Sequence, residues 1–219
     1  MRIWRRLLLF ALLLPATAAA DYRVDLIVTL DRNAPPDVAM THGRPAQPPQ
    51  VKAAVDLSDR ASLQRAGMSL LPDAQFGLDT EWRKLRNSRF KPILRLAWRI
   101  AQRPTATAVR FKDDFHYLVQ PPADPTGLPT GQQPFELPRL DGTLLVQQSG
   151  GLRVTLDLDY HLSVNAPPAE HPRASAPLPV SAGELARLSL HAEKRVNLGQ
   201  AQFFDHPLLG VLLKVSTAN

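Results

Sequence analysis

Leu152-Arg-Val-Thr-Leu-Asp-Leu-Asp-Tyr-His-Leu-Ser-Val164 alternates apolar and polar side chains without interruption. Leu152, Val154, Leu156, Leu158, Tyr160, Leu162 and Val164 fall on one side of an extended chain. Arg153, Thr155, Asp157, Asp159, His161 and Ser163 fall on the other. A period of two held over this length predicts a half-buried antiparallel strand. Upstream, Thr143 to Gln148 is joined to it by Ser149-Gly150-Gly151, a short glycine-bearing connection that predicts a hairpin.

The same period recurs toward both ends of the chain. Tyr22, Val24, Leu26, Val28 and Leu30 share a face, with Arg23, Asp25 and Thr29 opposite. Leu94, Leu96, Trp98 and Ile100 alternate with Arg95, Ala97 and Arg99. Ala186 to Val196 and Leu208 to Ser216 read as a second strand pair. Residues 51 to 71 and 79 to 89 are expected to be helical; in the latter Leu78, Trp82 and Leu85 recur at helical spacing and Thr80 can cap. The resulting expectation is an α+β fold, a single antiparallel β-sheet with helices packed on one face. Long proline-rich loops are expected at 34–50, 121–139 and 165–180, because proline lacks the donor that helices and central strands need.

The first twenty residues carry a different signal. Arg2, Arg5 and Arg6 precede the apolar run Leu7 to Leu14, Pro15 breaks it, and Ala18-Ala19-Ala20 supplies small residues before Asp21. These features predict a secretory signal peptide over 1–20, cleaved to leave one domain over 21–219. A spanning helix needs roughly 20 apolar residues, more than this run holds, and no later segment approaches that length. The chain holds no cysteine, which removes lipoprotein attachment, disulfides and thiolate chemistry. Lys and Arg together number 26 against 20 Asp and Glu. Without the three leader arginines the balance is 23 to 20, with both signs interspersed, so no nucleic-acid partner is expected.

Catalytic patterns are missing from the sequence. There is no GxSxG elbow, no HExxH and no phosphate-binding glycine loop. The expectation is a protein that is not an enzyme and needs no cofactor or metal. Asp157, Asp159 and His161 share one strand face and could form a metal or general-base row, although alternation alone predicts a solvated polar face there. Arg95 and Arg99 could grip carboxylates on a polymer. Trp82 and Trp98 could stack on sugar rings, but both lie on apolar stripes and read first as core. Phe204-Asp205-His206-Pro207 reads as a structural corner before a buried strand.

Four blocks recur in order: Tyr22-Arg-Val-Asp-Leu-Ile-Val28, Lys91-Pro-Ile-Leu-Arg-Leu-Ala-Trp-Arg99, Gly151-Leu-Arg-Val-Thr-Leu-Asp-Leu-Asp159 and Phe204-Asp-His-Pro-Leu-Leu-Gly-Val211. Together they resemble the CsiV family of periplasmic peptidoglycan-binding proteins. The resemblance implies a Gram-negative periplasmic protein that binds peptidoglycan and supports wall assembly and cell shape. It further implies action beside an outer-membrane lipoprotein activator of a class A penicillin-binding protein. Arg95, Arg99, Asp157, Asp159 and His161 are the candidate ligand-binding residues. An adaptor for the wall-synthesis machinery, without direct wall contact, is the alternative.

Overall fold

The computed structural model describes residues 21–31, 33, 44–45, 54–101, 107–120, 133–148, 150–163 and 177–218. The expected signal peptide over 1–20 lies outside these residues, as do most of the three proline-rich stretches.

Three sheets, not one, organise the chain. A five-stranded sheet runs in the order β13 (Ala201–Asp205), β14 (Leu209–Thr217), β1 (Tyr22–Asp31), β5 (Phe90–Ile100) and β4 (Met68–Leu70). A six-stranded sheet runs β2 (Arg44–Pro45), β12 (Leu185–Val196), β10 (Leu152–Ser163), β9 (Leu140–Gln148), β6 (Ala108–Lys112) and β3 (Val55–Asp56). The third sheet has β7 (His116–Gln120) between β11 (Leu178–Ser181) and β8 (Phe135–Pro138). The described residues include two α-helices, α1 (Arg60–Arg65) and α2 (Asp79–Arg86).

The expectation of a single sheet with helices on one face is therefore overturned: the fold is mostly β. The physical reason is that alternation gives each strand one apolar face but does not say what that face meets. Here the inward rows of the two larger sheets meet each other. Val24, Leu26 and Val28 of β1 and Val211, Leu213 and Val215 of β14 join Leu144, Val154, Leu156, Leu158 and Leu188 in one hydrophobic cluster. Fully burying one such side chain stabilises by about 1.5–3 kcal/mol, so this sheet-on-sheet contact dominates the fold.

Expected helix 51–71 divides into β3, α1 and β4. Asp59 Oδ1 accepts from the N–H groups of Ala61 (3.0 Å) and Ser62 (3.3 Å), capping α1. The six residues that follow bury only Leu63, and the chain then turns into β4. In α2 the N-cap is Leu78, without a side-chain cap, and Thr80 lies inside the helix. Asp79 and Glu81 open it and Arg83, Lys84 and Arg86 close it, matching the helix dipole.

The β9–β10 hairpin forms as read, with Leu152 opposite Gln148. Gly150 and Gly151 have φ of 60° and 137°, which suits glycine at this turn. The other expected pair does not form. Ala186 to Val196 joins β10 and β2, whereas Leu209–Thr217 pairs with β1 and β13. Pro45, Pro138 and Pro179, all inside stretches expected to be loops, sit in β2, β8 and β11. Each of these is an edge strand, where a missing N–H costs no ladder bond.

Gly142 of β9 tests the packing. A Cβ there would lie 2.4 Å from Phe111 Cζ and 3.0 Å from Leu158 Cδ1. Gly142→Ala is expected to destabilise the protein by about 1–3 kcal/mol through overpacking, read as a lower urea midpoint at unchanged slope. A neutral effect would show that the Phe111 ring, directly opposite on the neighbouring strand, gives way freely.

Candidate functional site

A cleft of about 470 Å³ opens where the three sheets converge. Residues 93–96 of β5 form one wall. β4 pairs only with Trp98–Ile100, so this earlier half of β5 is left as a strand edge toward the cleft. Lys112 at the end of β6 and Asp113, Asp114 and Phe115 of the β6–β7 turn contribute, and Arg139 enters from the junction of β8 and β9. Asp73 and Trp82 complete the lining.

Two arginines in this cleft are fixed by the same pair of devices, an aromatic ring and a carboxylate. The Arg95 guanidinium lies 5.1 Å from the Trp82 ring centre and 5.6 Å from that of Phe76. It is ion-paired to Asp73 and, at 3.7 Å, to Asp79. The Arg139 guanidinium lies 5.0 Å from the Phe115 ring centre, and its Nε donates to Asp113 Oδ2 at 2.7 Å. Asp113 Oδ1 also accepts the Leu140 N–H at 3.2 Å. Burial pushes the Asp113 carboxyl above its usual range, against the opposing pull of Arg139. Lys112 is a third cation, paired to Asp56 at 3.2 Å.

The strand carrying Arg139 is braced from behind. His161 is 3% exposed, and its Nδ1 lies 2.8 Å from the Pro138 carbonyl. A carbonyl only accepts, so Nδ1 carries the hydrogen. The His161 N–H donates to the Arg139 carbonyl at 2.7 Å, and the Arg139 N–H donates to the Phe115 carbonyl at 2.9 Å. Tyr117 Oη donates to the His161 carbonyl at 3.4 Å. Burial pushes the Tyr117 hydroxyl up to about 12, so it stays protonated and able to donate.

The residues singled out from sequence are thus dispersed. Arg95 is in the cleft. Arg99 is four residues along the same face, ion-paired to Asp21 outside it. Asp157 and Asp159 lie on the outer face of the six-stranded sheet, bonded to His191 (2.5 Å) and Ser189 (2.6 Å). His161, on the same strand face, is buried under Pro138 and bonded to its carbonyl, apart from the pairings of the two carboxylates. No group of three or more metal-ligating side chains occurs among the described residues. Trp98 is core at 0% exposure, whereas Trp82 is half-buried in the cleft wall. Asp205 and His206 form a corner, with the His206 N–H donating to the Leu209 carbonyl at 2.9 Å.

Sequence reasoning missed Arg139, Lys112, Asp113, Asp114 and Phe115. The available signal was the dense run Lys112-Asp-Asp-Phe115 between two strands. Arg139 had none, standing alone at the end of a proline-rich stretch.

A family model described as "Peptidoglycan-binding protein, CsiV" matches residues 4–218. No curated protein and no solved structure matches the chain. No helix among the described residues is long and apolar enough to cross a membrane.

His161 gives the site a pH signature. Burial holds its imidazole below the usual range, assisted by Arg187 and opposed by the Pro138 carbonyl, Asp159 and Asp141. The folded state keeps it neutral while the unfolded chain binds a proton near 6.5. Stability is therefore complete above that pH and falls as pH drops below it, by at most about 1.4 kcal/mol per pH unit for one group. Asp59, held low first by the Ser62 hydroxyl, acts only below 3.8. Asp113, with its raised value, acts in the opposite sense above 3.8. His161→Asn keeps a donor without the titration. The wild type is expected to lose more stability than this variant between pH 7 and 5 in urea unfolding; parallel profiles would assign the loss elsewhere.

Proposed function

Because the chain belongs to the CsiV family of peptidoglycan-binding proteins, we propose that the cleft at the meeting of the three sheets is where peptidoglycan binds. The observation that carries this is the pair of ring-backed arginines, Arg95 on Trp82 and Arg139 on Phe115, lining one cavity. Side chains held in place before the ligand arrives lose little freedom on binding. The cavity volume also falls within the range of roughly 300–1,000 Å³ common for ligand sites.

The reading is of binding without catalysis, supported by the family's description and by a sequence that lacks catalytic motifs. It places the protein in the periplasm, supporting wall assembly and cell shape, and beside a lipoprotein activator of a class A penicillin-binding protein. The leader-like residues 1–20 support export. In this reading Arg95 keeps its place in the site as part of the cleft wall, and Arg99, Asp157, Asp159 and His161 give way to Trp82, Lys112, Arg139 and Asp114.

The test is co-sedimentation of the chain from Asp21 to Asn219, which holds every described residue, with isolated sacculi. Retention is expected to persist at moderate salt, where unspecific attraction between a basic chain and an acidic polymer is screened. Trp82→Ala and Lys112→Glu are each expected to lower affinity about tenfold, the loss of one interaction worth about 1.4 kcal/mol. Arg99→Glu and Asp157→Asn are expected to bind as the wild type does. Retention confined to low salt, or unchanged by the cleft variants, would move the site elsewhere.

A further inference from the structure

Among the described residues, every polar side chain lining the cleft other than the Trp82 indole carries a formal charge. They are Arg95, Lys112 and Arg139 against Asp73, Asp113 and Asp114. The remaining described lining residues are apolar or aromatic, with no serine, threonine, asparagine, glutamine, tyrosine or histidine among them. That composition is informative about the ligand. A sugar chain presents neutral hydroxyl and acetamido groups, which offer no opposite charge for a charged side chain to pair with. A site built only from charged groups of both signs suits a ligand that carries both signs.

Resting on the reading of the cleft as the peptidoglycan site, we propose that it recognises the peptide stem rather than the glycan strand. The stem's carboxylate is received by Arg139 and Lys112, and its free amine by Asp114.

The assignment within the cleft follows from which charges are already committed. Arg95 is engaged by Asp73 and Asp79 together, and it holds the cleft wall rather than the ligand. Arg139 is held differently. Asp113 takes its Nε, and the two terminal nitrogens make no bond to the described residues. A guanidinium anchored at Nε keeps that outer edge as a two-pronged donor for a carboxylate. The Lys112 ammonium, half-buried on β6 and paired once, to Asp56 at 3.2 Å, adds a second cation on the same lining. Asp113 is buried beneath the cleft, whereas its neighbour Asp114 is exposed and has no ion-pair partner among the described residues. One turn therefore directs one carboxylate inward to fix a cation and the next outward to meet one. Phe115 and Trp82 supply apolar surface for the aliphatic parts of the peptide.

The experiment uses four probes in calorimetric titration of the same chain from Asp21. These are a synthetic stem tripeptide ending in a diamino acid with its side-chain amine free, its N-acetylated form, its C-terminal carboxamide, and peptide-free glycan oligomers. The free tripeptide is expected to bind, with acetylation and amidation each weakening it about tenfold, as for one charge-assisted contact. Asp114→Asn is expected to erase the difference between the free and acetylated peptides while leaving the affinity for the acetylated form unchanged. This substitution touches only an exposed carboxylate and leaves the Asp113–Arg139 pair intact. Glycan oligomers binding as tightly as the tripeptide would overturn the proposal, as would an Asp114→Asn variant that keeps full discrimination. No binding of the tripeptide, with cleft-dependent retention on sacculi intact, overturns the stem assignment alone. Retention indifferent to Trp82→Ala overturns the reading beneath it.

Discussion

The two faces of β1 carry different chemistry and the same burial. Val24, Leu26 and Val28 meet the six-stranded sheet, while Asp25, Ile27 and Thr29 on the other side are equally closed to solvent, at 0–1% exposure. An antiparallel strand can leave one face wet; this one does not, so something must cover the outer side. Phe76, Leu78, Trp82 and Leu85 pack onto Ile27, Ala97 and Leu212. The buried Asp25 anchors that cover by accepting the Gly77 N–H at 2.7 Å, and Arg23 donates to the same carboxylate oxygen at 2.8 Å. Farther along, Thr29 donates to the Gly210 carbonyl and the ring of Phe203 lies over Gly210. The half-exposed Phe203 thus closes what the α2 segment does not reach.

The cleft is a by-product of this cover. Trp82 and Asp73 belong to the segment that closes the outer face of β1, and Arg95 reaches across to both from β5. Exposed ion pairs of this kind contribute little to stability on their own. What they supply is position: a guanidinium stacked on a ring and tied to a carboxylate has few other places to go. Arg139 achieves the same end from the other side at greater electrostatic cost. Its partner Asp113 is buried, and burial raises that carboxyl despite the adjacent cation. Removing Arg139 would leave a carboxylate withdrawn from water without its partner, an expensive arrangement.

How much of this was legible in sequence depends on the range over which each interaction acts. The period of two gave β1, β5, β10 and their inward rows, because side-chain direction in a strand is a local property. The glycine pair at 150–151 placed the β9–β10 hairpin for the same reason. Sheet membership was not legible: β14 pairs with β1, near the opposite end of the chain, and no local pattern records that. The short helix α1 was overread as part of a long one because Leu57, Leu63 and Met68, which all reach the core, do so from a turn, a helix and a strand. At the site, Arg95 and Trp82 were visible as residue types worth notice. His161 was misread because β8 and the residue after it cover the end of β10, so a position that alternation assigns to solvent is buried against Pro138.

That burial links the misread residue to the missed ones. A histidine on the nominal polar face of β10 is tolerated inside only if its ring finds a partner, and the backbone of Pro138 provides it. Proline at 138 ends an edge strand, so its carbonyl is available where a paired strand would have used it. The next residue is Arg139, whose own carbonyl takes the His161 N–H. The direction of the Arg139 side chain is thus set on both flanks by β10 and from below by Asp113. Three features that looked unrelated in sequence, a proline-rich stretch, an isolated histidine and an acidic turn, converge on the placement of one guanidinium. The cleft's charge pattern is therefore set by short turns that the strands on either side hold in place.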